Sequence, residues 1–487
     1  MALSTGPPQR ESPEGTITMS ISGIRLRRGV RTPRQGNSSR LYRDATSLAS
    51  SSMLTALLGV GFWIVAARLL PPSKLGVQTA LLSAITAPAI VIASGVGDAF
   101  TAVLPAAPGL RASVLRRGYS IVLALSVTAG LIAAIVSVSV LHQVRGSVAV
   151  AVVVLGGTVV WAFFTVQDPA LTSMGRAHWL PFENGAVSTL KVAIFPALAA
   201  VALGLPMLVA TIVPAAAAVA VLLPRLRAMA RSADDSVPAI DYPTHLDRQV
   251  VTRQFDALTL RTTSSVALTL GSLTFLPFVV TVVSGPVQGA VFALCLSVNQ
   301  SLDFVGSALG VSLVVHASAP GADGARMARQ VLRRAASIVG VGAIALVAAS
   351  PLVLRIMNPT YLELHGIEVI AILCAGSLLR TGFVTWSALQ RARRQLSPVL
   401  ILNAAGALTL YATLPLLCDK WGAVGAALSL ASAQTVLSIG ACLHVLSGVR
   451  RARTTNSAVS TADAVPLDSA PTAADITAEL VPTAGGR

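Results

Sequence analysis

Long apolar runs alternate with short polar segments from about residue 45 to residue 446, and the alternation sets the architecture. The runs fall at about 45–66, 77–97, 119–140, 147–166, 182–203, 206–223, 258–282, 287–315, 333–354, 366–388, 397–417 and 421–446. Each is close to the roughly 20 residues that carry a helix across about 30 Å of hydrocarbon. In hydrocarbon every backbone N–H and C=O needs a partner within the protein, so such runs are predicted to be helices and not open sheet. The pattern therefore predicts an all-α polytopic membrane protein of about twelve transmembrane helices. Pro71-Pro72, Ser284-Gly285-Pro286 and Asn358-Pro359 are turn signals between runs. The tightest turn is Leu203 to Met207, where Gly204 and Pro206 must reverse the chain.

Composition excludes a water-soluble globule, since 54% of the 487 residues are hydrophobic, only 11% are charged and the mean hydropathy is +0.74. The formal charge of +16 could serve nucleic acid. Its arginines, however, are scattered over the short segments between apolar runs and form no basic stripe interleaved with aromatics, which argues against nucleic acid as a partner. Cys295, Cys374, Cys418 and Cys442 all lie within apolar runs at no metal-ligand spacing, so neither a disulfide framework nor a metal site is expected. No Gly-x-x-x-x-Gly-Lys loop is present, and no cofactor is expected.

The basic residues also orient the chain. Arginines crowd the segments around residues 25–43, 111–117, 225–253, 326–334, 391–394 and 450–453, whereas the intervening loops hold only Arg68, Lys74, Arg145, Arg355 and Lys420. Basic short loops stay on the cytoplasmic side, so both termini are expected there, in a multi-pass protein of the cytoplasmic membrane. The loop at about 224–256 divides the spans into a lobe at 44–223 and a lobe at 257–447, six helices each. A faint echo between Pro71-Pro72-Ser73-Lys74-Leu75-Gly76 and Gly285-Pro286-Val287-Gln288-Gly289 points to a repeat. Residues 1–43 and 448–487 are polar and read as a disordered basic arm and a disordered tail.

Charges inside the spans need a partner, a wet cavity or an escape to the interface, because each costs about 2.5 to 3.5 kcal/mol at the bilayer centre on insertion scales. Lys191 lies roughly 14 Å from the inner boundary, close to the midplane. Asp303 and Arg380 lie roughly 21 to 24 Å from the outer boundary and are expected to pair, for structure or for coupling. Arg261 shares a helical face with Ser265 and Ser272, and Asn299, Asp303 and Ser307 form an i, i+4, i+8 stripe on the next span, so a wet interface between the two is expected. A structural pair with Arg261 snorkelling to headgroups is the plainer reading. Glu183, Glu368 and Asp98 sit near interfaces, where solvation is expected. Pro88, Pro196, Pro214 and Pro415 are expected to kink their helices.

Three segments carry a resemblance: Phe62-Trp63-Ile64-Val65-Ala66-Ala67-Arg68-Leu69-Leu70-Pro71-Pro72 through Leu75-Gly76, Asp168-Pro169-Ala170-Leu171 to Gly175-Arg176-Ala177 with Asn184 after it, and Trp421-Gly422-Ala423-Val424-Gly425-Ala426-Ala427. In their order along residues 42–447 the chain resembles the polysaccharide transport branch of the multidrug, oligosaccharidyl-lipid and polysaccharide exporter superfamily, which includes O-antigen flippases. The resemblance implies two six-helix lobes around a central cavity that opens alternately to either side and moves a polyprenyl-pyrophosphate-linked glycan outward. It implies a lipid-linked glycan as substrate, membrane lipids as surroundings and envelope glycan-synthesis proteins as partners. Cationic cavity residues would hold the pyrophosphate, and Lys191 and Arg261 are the candidates by depth. Beyond Asp303 no intramembrane acid cluster for ion coupling stands out in the sequence. Multidrug export, a membrane glycosyltransferase or polymerase, and an envelope scaffold are the competing functions. Short outer loops and the isolated His142 and His365 weigh against the enzyme.

Overall fold

The computed structural model of the chain describes residues 58–201, 204–236, 245–317, 323–393 and 395–462. Nine helices among these described residues are long and apolar enough to cross a membrane. One of the nine, Ser397–Ser447, is two helices run together, broken at Gly422 with φ 55° and ψ −127°, a conformation that only glycine takes without strain. Leu180–Ala200 misses that measure because Glu183, Asn184 and Lys191 dilute its apolar content. The helix Leu58–Leu69 belongs to a span whose beginning, with Ser47, Ser51 and Thr55, lies outside the described residues.

The membrane helices are thus α1 (Leu58–Leu69), α2 (Pro72–Val103), α3 (Arg111–Val140), α4 (Val148–Ser173), α5 (Leu180–Ala200) and α6 (Pro206–Asp235). The second set is α7 (His245–Val266, a π-turn at Ala267–Gly271, then Ser272–Ser284), α8 (Pro286–Ala317), α9 (Gly324–Met357), α10 (Gly366–Ala392), α11 (397–421) and α12 (423–462). About twelve helices in two lobes is what the apolar pattern demanded.

The helices overrun the apolar runs at the arginine-rich end. α6 continues through Pro224 to Asp235 and α7 starts at His245, so most of the segment expected to be a linker is helix. The cause is burial: Leu226, Ala230 and Phe255 pack into a core shared with Phe100, Leu115, Tyr119 and Val166. Asp234 then caps α3, its two carboxylate oxygens accepting from the backbone N–H groups of Arg111 and Ala112 at 2.9 and 2.8 Å. α12 likewise runs on to Ala462, past the expected start of the tail, over a stretch with no proline before Pro466. The expected arm at 1–43 and the residues from 463 on lie outside the described residues.

α2 is the seam between the lobes. It packs on α3 and α4 within its own lobe and on α7 and α8 of the other. Close approach is bought with glycine: a Cβ at Gly76 would run into the Pro286 carbonyl, one at Gly95 into Thr263, and one at Gly271 would lie 2.6 Å from Val91. Thr262 Oγ1 also donates to the Gly95 carbonyl at 2.9 Å. The first part of α7 packs mainly on α2 and α3, whereas the part beyond the π-turn packs on α8 and the α11–α12 pair as well. π-turns interrupt the regular hydrogen-bond ladder, and this one falls where α7 passes from one set of neighbours to the other.

Candidate functional site

α8 and α10 carry the charges deepest in the second lobe. Arg380 Nη1 donates to Asp303 Oδ2 at 2.8 Å, with the two side chains 26% and 14% exposed. One turn away, Asn299 Nδ2 donates to Ser377 Oγ at 2.9 Å. The stripe on α8, predicted to face α7 across a wet interface, therefore turns Asn299 and Asp303 toward α10 instead. The pattern along one helix fixes which residues share a face, but not which neighbour that face meets.

Lys191 on α5 has no acidic partner among the described residues, and its Nζ lies 3.8 Å from the centroid of the Phe62 ring on α1. Phe62 is itself 1% exposed and packs edge-on against Phe195, with 5.3 Å between ring centroids. The negative face of an aromatic ring offsets part of the lost hydration of an ammonium group, and this partner lies more than a hundred residues away in sequence. Arg261 is exposed on α7 and takes part in none of the ion pairs among the described residues, which are Arg117–Asp256, His365–Glu368 and Arg380–Asp303. Nothing in the described contacts brings Lys191 and Arg261 together.

Two cavities stand out. One of about 400 Å³ lies between the lobes, walled by Pro88 of α2, Ile132 and Val136 of α3, Phe275 and Phe278 of α7 and Tyr411 of α11, with Gly271, the last residue of the π-turn, and Ser272 after it at its edge. Tyr411 bridges to this turn, donating to the Ser272 carbonyl at 2.9 Å. The lining is almost wholly apolar. The other, about 590 Å³, is a groove between α5 and α6 that is apolar along Leu190, Ala217 and Val221 and polar at the end bearing His178, Glu183 and Arg225. Lys191, Arg261, Asp303 and Arg380 line neither.

Glu183, Glu368 and Asp98 are the acids for which sequence position predicts solvation near the interfaces. Asp98 and Glu368 are exposed, and Glu368 pairs with His365 at 3.0 Å. Glu183 departs from that expectation: it is 8% exposed and neither carboxylate oxygen has a hydrogen-bond partner. It sits one turn into α5, at the edge of the α5–α6 groove and within electrostatic reach of Asp168 on α4. Asp168 in turn accepts from Asn184 Nδ2 at 3.3 and 3.5 Å. The only hint in the sequence is that Asp168 and Asn184 stand among the resemblance positions; that the α4–α5 hairpin aligns an acid at 168 with one at 183 is decided by packing.

No family model and no curated protein matches the sequence. Solved structures do match in fold. The chain superposes on an inward-facing multidrug resistance MATE family transporter of the MOP superfamily with a TM-score of 0.62 at 16% identity, covering 85% of this chain and 99% of that one. It superposes on the lipid II flippase MurJ in an inward closed conformation with a TM-score of 0.64 at 11% identity, covering 81% and 86%. A MATE structure in the straight conformation follows with a TM-score of 0.58 at 15% identity, covering 85% and 96%. The class of fold is therefore a two-lobed, multi-pass helical membrane fold. Within it, the fold is the one shared by MATE exporters and MurJ.

Proposed function

We propose that the protein is a flippase that carries a polyprenyl-pyrophosphate-linked oligosaccharide across the cytoplasmic membrane, outward, for cell-envelope polysaccharide synthesis. The observation that carries this reading is a pair of cations left over in a fold shared with a lipid II flippase: Arg380 is matched by Asp303, while Lys191 and Arg261 have no acidic partner among the described residues. A pyrophosphate cannot cross hydrocarbon unaccompanied, and a fixed cation in a low-dielectric cavity offsets part of its lost hydration. Lys191 and Arg261 are the residues assigned to that role, and the lipid tail remains in the bilayer. Depleting the protein should make a lipid-linked glycan accumulate on the inner leaflet while its synthesis continues. Unchanged lipid-linked pools with unchanged surface glycan would refute the assignment.

Multidrug export is the second reading, favoured by the apolar lining of the cavity between the lobes, which suits an amphipathic organic solute better than a glycan. A depletion strain that becomes sensitive to lipophilic cations, with normal envelope glycan, would select it.

A further inference from the structure

The α5–α6 groove of about 590 Å³ has a layout that the proposed substrate path does not use. Its lining comes from α5, α6 and the turn Ala177–Trp179 that leads into α5. Phe182, Leu190 and Val221 along it are exposed apolar side chains, so it is open along its length, and an open apolar groove walled by one helix pair of a membrane bundle faces lipid tails. From Arg225 back to Pro214 the α6 wall rises about 16 Å at about 1.5 Å per residue, close to the depth of one leaflet in a hydrocarbon core about 30 Å thick. Trp179 stands at the polar end, as indoles do at the membrane–water boundary.

That end carries both signs of charge and leaves its groups unsatisfied. Glu183 is 8% exposed and neither carboxylate oxygen has a hydrogen-bond partner, and His178 Nδ1 is buried and unpartnered as well. Arg225 is exposed and belongs to none of the ion pairs among the described residues. A buried carboxylate without a partner is costly, which favours an incoming cationic N–H donor. The occupant that satisfies this end brings a phosphate for Arg225 and His178, an ammonium for Glu183, and an apolar chain one leaflet long. Phosphatidylethanolamine has all three. Phosphatidylglycerol has no cation, and the quaternary nitrogen of phosphatidylcholine has no N–H to donate.

We propose that the α5–α6 groove holds one phosphatidylethanolamine molecule of the leaflet on the arginine-rich side, its phosphate on Arg225 and His178, its ammonium on Glu183 and one acyl chain along Leu190, Ala217 and Val221. Charge-assisted bonds to both halves of the headgroup select the lipid, and the apolar stretch sets its depth. The site is a fixed lipid on the flank of the first lobe and does not depend on what the protein transports.

The test titrates the full-length protein, purified and stripped of lipid in detergent, with phosphatidylethanolamine, phosphatidylcholine and phosphatidylglycerol of identical chains, and counts bound lipid by native mass spectrometry. The expected result is one saturable site that takes phosphatidylethanolamine about tenfold more tightly than the other two, the factor that one charged hydrogen bond brings. Glu183→Leu should erase the preference over phosphatidylcholine, and Arg225→Gln should weaken phosphatidylethanolamine binding by a similar factor. Arg231→Gln, at an exposed arginine outside the groove, should bind as the parent does. Ala217→Trp fills the apolar stretch from an exposed position and should remove the site at an unchanged unfolding midpoint. Equal binding of the three lipids by the parent, a preference for phosphatidylglycerol, or a Glu183→Leu or Ala217→Trp protein that binds as the parent does would overturn the proposal. Because no glycan or drug enters the measurement, its failure is separate from failure of the flippase reading.

Discussion

Gln78 and Gln288 make the same bond in the two lobes. On α2, Gln78 Oε1 accepts from the backbone N–H of Met207 at the start of α6, at 2.8 Å; on α8, Gln288 Oε1 accepts from the backbone N–H of Ala423 at the start of α12, at 3.0 Å. The two glutamines lie in matching tetrapeptides, Val77-Gln78-Thr79-Ala80 and Val287-Gln288-Gly289-Ala290. The residues two before them, Gly76 and Pro286, touch each other across the seam. Matching positions of the sequence echo thus meet one another at the seam between the lobes.

Each glutamine satisfies one of the orphan N–H groups of a helix start inside a membrane. Gln78→Ala and Gln288→Ala should each lower stability by about 1 to 2 kcal/mol, and the two losses should add because the two bonds share no partner. Thermal unfolding of the single and double variants in detergent checks this; a double variant no worse than either single one would mean the bonds do not act independently.

Arg380→Ala should lower the amount of protein in the membrane, because it strands the Asp303 carboxylate at a cost of about 3 kcal/mol or more. Asp303→Asn in the same chain should restore part of it. Immunoblots of membranes normalised to cell mass read the outcome, and an Arg380→Ala protein at parental abundance would show that water reaches Asp303 freely.

On the proposed flippase function, Lys191→Ala combined with Arg261→Ala should abolish glycan export at normal protein level, while Lys191→Arg should keep part of the activity, since a positive charge matters there more than the shape of the group. Phe62→Leu, which removes the ring beneath Lys191 and keeps an apolar side chain, should cost about 1 to 2 kcal/mol of stability. Full export by the double alanine variant would return both cations to a structural role.

Asp234→Ala should destabilise the arginine-rich end of the first lobe by about 1 to 2 kcal/mol, because two N–H groups at the start of α3 lose their acceptor. Asp234→Ser, which can still accept one of the two bonds, should fall between Ala and the parent. Limited proteolysis between α6 and α7 is the readout, and equal cleavage in all three would show that the cap is not holding the helix start.

Reporters fused within residues 237–244 and after Arg453 should both be active only in the cytoplasm, since both positions adjoin clustered arginines and are separated by an even number of spans. An outside-only signal after Arg453 would break the orientation.

The sequence alone determined that the chain lives in lipid as about twelve helices in two lobes. Apolar length and backbone satisfaction in hydrocarbon leave few alternatives, and both act along the chain, so they can be read residue by residue. It also determined that Asp303 and Arg380 share a depth, because depth along a helix is a count of residues. Tertiary structure decided the partners. The face holding Asn299 and Asp303 meets α10, Lys191 finds an aromatic ring instead of an acid, and Glu183 is buried within electrostatic reach of Asp168. It also carried helix into the segment expected to be a linker, through the burial of Leu226 and Phe255. Such choices depend on which helix lies next to which. Neighbours in a bundle are set by the close approach of small residues such as Gly76, Gly95 and Gly271 from distant parts of the chain, and no local periodicity records that approach.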